Sequence, residues 1–178
     1  MKYKSVYFIT QTSVIAALYA VLTILQSVLI PESTSAAIQF RASEALTVLA
    51  LYTPAAIPGL TLGCVLANLA TIAVLGPLDM IFGSIASLLA ALTMYMLRRV
   101  RLFTLPVLSA LMPAVFNGLI VGFEIAFFFT DGGFSLNGFI FAGGFVAIGE
   151  LAVLFILGLP LSVFLEKTKL SKKLFIRR

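Results

Sequence analysis

Long apolar runs bounded by clusters of basic residues constrain this chain more than any other feature. The runs cover about 6–30, 42–53, 56–75, 78–97, 104–129 and 138–165. Hydrophobic residues make up 61% of the chain and charged residues only 11%, whereas a soluble domain is about a quarter charged. The chain therefore lacks the polar side chains needed to cover a water-facing surface. We expect an all-α integral membrane protein, with residues 1–178 forming a single membrane-embedded domain.

The basic residues predict the topology. Every lysine and arginine except Arg41 lies in one of three clusters, at 2–4, 98–101 and 167–178. By the positive-inside rule each cluster marks the cytoplasmic side, so the chain between two clusters crosses the membrane an even number of times. This favours six transmembrane helices with cytoplasmic N- and C-termini. The second run is short for a bilayer, which indicates that other helices enclose it or that it borders a cavity.

Several acidic residues lie in unexpected places. Four carboxylates lie in or at the ends of apolar runs: Glu44, Asp79, Glu124 and Glu150. The other three, Glu32, Asp131 and Glu166, fit solvated loops or the cytoplasmic tail. A charge at the centre of a transmembrane helix costs about 2.5–3.5 kcal/mol, so it is normally paired or functional. Because Arg41 is the only cation outside the clusters, some of these carboxylates need another partner: a cationic or hydrogen-donating ligand, or a proton.

The predicted topology brings most of these polar groups to the outer half of the membrane, with Glu150 nearer the middle. Asn68 lies within the third run, and Asn117 shares a helical face with Glu124 seven residues later. A polar cavity that opens outward accounts for all of them. Simpler alternatives remain: Asp79 as a helix cap, Arg41 and Glu44 as a structural ion pair, and the asparagines as bonds between helices.

The sequence also excludes several kinds of chemistry. It contains no histidine, a single cysteine and no phosphate-binding loop of the Walker type. Histidine-dependent catalysis, histidine-ligated metals and ATP hydrolysis by this chain are therefore not expected. We expect no cofactor, no metal and no catalytic residue. Recognition of a solute is favoured over an enzymatic function.

Five stretches carry a resemblance to a known family. They are "IQFRASEALT" (38–47), "PAAIPGLTLGCVLANL" (54–69), "LDMIFGSIASLLAALTMY" (78–95), "NGLIVGFE" (117–124) and "AIGELAVLFILGLPL" (147–161). In this order they resemble the QueT family, among the S-components of energy-coupling factor (ECF) transporters. The resemblance implies the six-helix bundle of an S-component in the bacterial plasma membrane.

The resemblance also implies a mechanism and partners. An S-component captures a micronutrient from outside in a pocket that its first loop closes. It then docks on a transmembrane coupling protein with two ATPase subunits and topples in the membrane to deliver the ligand. Nucleic acid is not an expected partner, because the basic residues lie in clusters at the edges of the apolar runs. In that family the small-residue face of the first helix meets the coupling protein, and Ala16, Ala17 and Ala20 match that face here.

The ligand implied by the resemblance is a queuosine precursor, a deazaguanine base such as queuine or pre-queuosine. For its guanine-like edge we predict Glu124, with Glu150 or Asp79 as alternatives. The remaining predicted contacts are Asn68 or Asn117 for the carbonyl, Phe40, Phe123 or Tyr52 for ring stacking, and Gln39, Arg41 and Glu44 in the closing loop. We expect Arg41 to hold that loop against a carboxylate, of which Glu44 is the nearest in sequence. An S-component for another vitamin and a self-sufficient proton-coupled transporter are the alternatives.

Overall fold

The computed structural model describes residues 2–31, 33, 39–70, 72–102, 105–130 and 133–175. These residues are helical, apart from connecting segments and one isolated bridge between Leu102 and Leu105. The helices are α1 Lys2–Leu29, α2 Ala42–Leu51, α3 Ala56–Ala70, α4 Ile72–Met96, α5 Val107–Phe128, α6 Leu136–Lys167 and α7 Leu170–Leu174. The predicted loop positions of Glu32 and Asp131 lie outside the described residues.

Six apolar helices match the six predicted crossings. Four are long and apolar enough to span a membrane: Ser5–Leu29, Gly76–Met96, Val107–Phe128 and Leu136–Lys167. The other two, α2 and α3, are shorter apolar helices of 10 and 15 residues. At about 1.5 Å per residue, α3 is roughly 22 Å long, which is less than the thickness of a bilayer core. The predicted all-α membrane architecture is therefore confirmed.

Helix α2 is wound as a 3₁₀ helix and lies at the centre of the bundle. It contacts α1, α3, α4 and α6, and eight of its ten residues are buried. A 3₁₀ helix rises about 2.0 Å per residue, so ten residues reach about 20 Å instead of the 15 Å of an α-helix. Because protein surrounds α2, its short length leaves little backbone exposed to lipid. This agrees with the predicted enclosure of the second run.

Two irregularities interrupt the long helices, and each has a cause in the sequence. In α4, Gly76 has φ 78° and ψ 172°, a conformation that residues with a side chain rarely adopt, and Pro77 follows. The break coincides with the Gly-Pro turn that divides the apolar runs, although α3 ends earlier than predicted, at Ala70. In α6, a π-helical turn at Leu154–Gly158 precedes Pro160, whose missing N–H and ring are incompatible with a regular helical bond.

Both ends of the chain lie on the same side of the bundle. Gln11 Nε2 near the start of α1 donates to the carbonyl of Leu174 at 2.7 Å, and the Tyr7 hydroxyl donates to the same carbonyl. At this side Arg101, after α4, also binds both carboxylate oxygens of Glu166, at 2.6 and 3.0 Å. The described residues that adjoin the three basic clusters therefore share one end of the bundle, which the positive-inside rule identifies as cytoplasmic. This confirms an even number of crossings.

Candidate substrate-binding site

All the buried charges among the described residues belong to one group. Its members are Arg41, Glu44, Asp79, Glu124 and Glu150, and none is more than 7% exposed. Arg41 is close enough to each of the four carboxylates to interact with it electrostatically. Four carboxylates therefore share one guanidinium in the interior of a membrane bundle. Such an excess of buried negative charge is costly unless further partners neutralise it.

Arg41 forms an ion pair with Asp79. Its Nη2 lies 3.8 Å from Asp79 Oδ2, and its Nη1 lies 3.9 Å from the sulfur of Cys64. The partner is thus one of the four carboxylates that the sequence offered to Arg41, and it is Asp79 and not Glu44. Arg41 has an extended backbone, with φ −107° and ψ 100°, immediately before α2 begins, so its side chain does not follow the helical face that carries Glu44. It extends to α4 instead, and the ion pair joins the start of α2 to the residues after the Gly76 break.

A polar stripe on α1, which the sequence analysis missed, holds the start of α2. Tyr19, Thr23 and Gln26 recur at spacings of four and three and therefore share one helical face. The Tyr19 hydroxyl donates to Glu44 Oε1, and the hydroxyls of Thr23 and Ser43 lie 2.6 Å apart. Helical spacing of polar residues within an apolar run was the signal that could have revealed this face.

The side chain of Gln26 binds the backbone on both sides of Arg41. Its Oε1 accepts from the N–H of Ala42 at 2.7 Å, and its Nε2 donates to the carbonyl of Phe40. The same amide donates to the hydroxyl of Ser33 at 3.1 Å. One side chain of α1 therefore fixes the residues on both sides of Arg41, which directs the guanidinium towards Asp79.

Several buried polar atoms of the site have no hydrogen-bond partner within the part of the chain that the structure describes. Both carboxylate oxygens of Glu124 belong to this set, as do Oε2 of Glu44, Oε2 of Glu150 and Nδ2 of Asn117. Buried polar groups are nearly always bonded, so a set of five on facing helices calls for a specific explanation. Together they offer four acceptor atoms and one donor amide, which matches a ligand that is rich in N–H donors.

The other predicted polar contacts have different surroundings. Asn68 donates through Nδ2 to the backbone carbonyl of Asp79 at 3.0 Å, so it joins α3 to α4, as the simpler alternative expected. Gln39 and Phe40 are half-buried and directly precede Arg41 in the chain.

Two of the three aromatic residues predicted to stack on the ligand lie away from the buried charges. Phe123 is 40% exposed and lies among Phe127 and Phe134 on the outer surface of the bundle. Neighbouring helical residues point about 100° apart, so Phe123 faces away while Glu124 faces inward. Tyr52 lies at the cytoplasmic end, bonded to Ser162 and stacked on Phe175. The structure thus places neither ring beside the charge group, and Phe40 remains the aromatic candidate.

Gly149 allows the segment before α2 to lie directly on α6. A Cβ built on Gly149 would overlap the backbone carbonyl of Gln39, so only glycine permits this approach. Glu150 follows on the same helix and is thereby brought next to the start of α2. The contact therefore joins the predicted closing segment to the helix that carries Glu150.

We expect Gly149→Ala to push Gln39 away from α6 and to destabilise the protein by about 1–3 kcal/mol, the usual cost of overpacking. The melting temperature of the purified protein in detergent measures this effect. Gly144→Ala is the matched control. Gly144 lies on the same helix, and a Cβ built on it meets nothing within 4 Å. Equal melting temperatures for the two variants would contradict the contact.

A separate groove lies on the outer surface between α5 and α6. It has a volume of about 340 Å³ and is lined by apolar residues and glycines: Ala114, Val115, Gly118, Leu119, Phe139, Ile140, Gly143, Gly144 and Ala147. None of the buried charges borders it. We therefore assign the candidate site to the buried polar group, where the unpaired atoms lie, and not to this groove.

The α1 face predicted to meet a coupling protein is partly covered in the subunit itself. Ala16 and Ala20 are buried, whereas Ala17 is exposed. The backbone of Ala16 packs on α3, since its carbonyl oxygen lies 2.9 Å from the position of a Cβ on Gly63. These small residues thus serve packing within the subunit, and their contact with a coupling protein stays a prediction.

Comparison with known proteins gives one match. The family model described as QueT transporter matches residues 9–167, from within α1 to the end of α6, and this range includes all five buried charges. No curated protein and no solved structure matches the chain. Since the family model spans most of the sequence, the chain belongs to the QueT transporter family.

Proposed function

We propose that this protein is the substrate-capture subunit of an ECF-type importer and that it binds a queuosine precursor, a deazaguanine base. The observation that carries the proposal is the unpaired carboxylate of Glu124, which is 1% exposed with both oxygens free of protein donors among the described residues. The guanine-like edge presents a ring N–H and an exocyclic amine side by side. A carboxylate can accept from both in a bidentate manner. Asn117 Nδ2, also unpaired and on the same helix, is suited to the ring carbonyl.

The site lies in the half of the bundle opposite the basic clusters, so the ligand would enter from outside. In this proposal the segment around Gln39, Phe40 and Arg41 closes over the ligand. The backbone contact at Gly149 and the hydrogen bonds of Gln26 support this role, because they attach the segment to α6, next to Glu150, and to α1. In this proposal Phe40, which is half-buried, is the aromatic residue that covers the ring.

Delivery inward would require partners: a transmembrane coupling protein and two ATPase subunits in the bacterial plasma membrane. The α1 face with exposed Ala17 between buried Ala16 and Ala20 is the proposed docking surface. Small residues on a helix allow another helix to approach closely. Purification from native membranes should recover these subunits with the chain.

Ligand binding tests the proposal directly. Purified protein is titrated with deazaguanines and, in parallel, with common vitamins, and the melting temperature and heat of binding are measured. We expect stabilisation by deazaguanines alone. Stabilisation by another vitamin would make the protein an S-component for that compound. A proton-coupled transporter is the second candidate, because buried unpaired carboxylates can also carry protons. Uptake into vesicles that contain this chain alone, driven by a proton gradient, would favour it.

A further inference from the structure

Two kinds of carboxylate site are present within the buried charge group. Glu124 offers two free oxygens on one carboxylate. Glu44 instead offers one free oxygen, Oε2, because Tyr19 binds its Oε1, and Glu150 adds its own buried and unbonded Oε2 from a different helix. The difference in arrangement implies a difference in the donor that each can bind.

Packing brings Glu44 and Glu150 together. Gly149 lies against the backbone of Gln39. Further along α6, a Cβ built on Gly158 would lie 3.2 Å from Cγ1 of Val48. The start and the middle of α2 are thus both seated on α6, and the two carboxylates interact electrostatically. Glu44 is 2% and Glu150 is 6% exposed, so water does not screen their repulsion.

The surrounding groups leave this pair without a dedicated cation. Arg41 makes its ion pair with Asp79 and acts on Glu44 and Glu150 only as one charge shared among four carboxylates. Tyr19 donates to Oε1 of Glu44, which orients that carboxylate and leaves Oε2 free. Two buried carboxylates that repel each other disfavour each other's charged form, and a cation or a shared proton between them relieves that cost.

Resting on the function proposed above, we infer that Glu44 and Glu150 form a subsite for a protonated amine on the ligand, distinct from the Glu124 subsite for its planar edge. An ammonium group is a compact charge with three diverging donors, which suits single oxygens from two carboxylates. A planar edge with two parallel N–H donors suits the two oxygens of one carboxylate. A deazaguanine with an aminomethyl substituent carries both kinds of donor on one molecule.

The test compares two probes of equal size, 7-aminomethyl-7-deazaguanine and 7-hydroxymethyl-7-deazaguanine, by titration calorimetry on the full chain. We expect the amine to bind the wild-type protein roughly tenfold more tightly or better, since hydrogen bonds to a charged group are the stronger ones. Glu150→Gln should reduce the ratio of the two affinities to about one. Glu166→Gln, the same substitution at the cytoplasmic carboxylate bound by Arg101, should keep the wild-type ratio.

Three other outcomes would overturn the amine subsite. Equal affinities in the wild-type protein would overturn the amine subsite, with a shared proton on the pair as the explanation, and leave the deazaguanine function standing. A preference for the amine that survives in Glu150→Gln would also overturn the subsite. Failure of both probes to bind would overturn the proposed function and the subsite with it.

Discussion

Replacing Glu124 with glutamine is expected to weaken deazaguanine binding by about 100-fold or more. Each hydrogen bond to a charged group contributes about 1.5–3 kcal/mol, and the carboxylate is proposed to accept two. A glutamine keeps one acceptor oxygen but directs an NH₂ group at the second donor of the ligand. Loss of one such bond, with a donor now facing a donor, amounts to roughly 3 kcal/mol or 100-fold in the dissociation constant.

The same substitution should leave the ligand-free protein at least as stable as the wild type. Glu124 has no partner for either oxygen among the described residues, so its burial costs free energy that an uncharged amide reduces. Affinity and stability are then expected to change in opposite directions, which a general loss of folding cannot produce. Calorimetry gives the affinity and a melting curve gives the stability, with Glu166→Gln as the control. Unchanged affinity in Glu124→Gln and in Glu124→Ala would show that Glu124 does not contact the ligand.

The sequence predicted the number of helices, the position of the Gly76 break and the side on which both termini lie. These features follow from one-dimensional properties, namely the lengths of apolar runs, the Gly-Pro pair and the spacing of basic clusters. It also predicted that most of the polar groups within the apolar runs converge on one cavity, because charges in contact with lipid are costly.

The partners of these charges could not be predicted. Glu44 is the carboxylate nearest to Arg41 in sequence, but the extended backbone before α2 directs the guanidinium to Asp79. Which helices pack together decides the pairing, and this depends on contacts such as that of Gly149 with Gln39. The outward orientation of Phe123 and the burial of Ala16 likewise depend on the rotation of a helix about its axis. An almost uniformly apolar helix carries little information about that rotation.

The largest effect on stability is expected for Arg41→Met. Arg41 is the only buried cation among the described residues, and its loss leaves Asp79 with an unpaired charge. Removing one partner of a buried ion pair typically costs about 3–5 kcal/mol. We expect a correspondingly lower melting temperature and, if Arg41 holds the segment over the ligand, release that is faster by about tenfold, equivalent to 1.4 kcal/mol.

A double variant separates these two effects. Asp79→Asn removes the carboxylate charge that Arg41→Met leaves unpaired. It keeps the hydrogen bond from Asn68, because Asn68 donates to the backbone carbonyl of residue 79. Arg41→Met combined with Asp79→Asn should therefore recover much of the lost stability, while release, measured by stopped-flow displacement, stays fast. Arg101→Met breaks the bidentate pair with Glu166 at the cytoplasmic end and should leave release unchanged. A wild-type release rate in the double variant would mean that the Arg41–Asp79 pair stabilises the bundle without closing the site, and the closing role would then pass to the backbone contacts of Gln26 and Gly149.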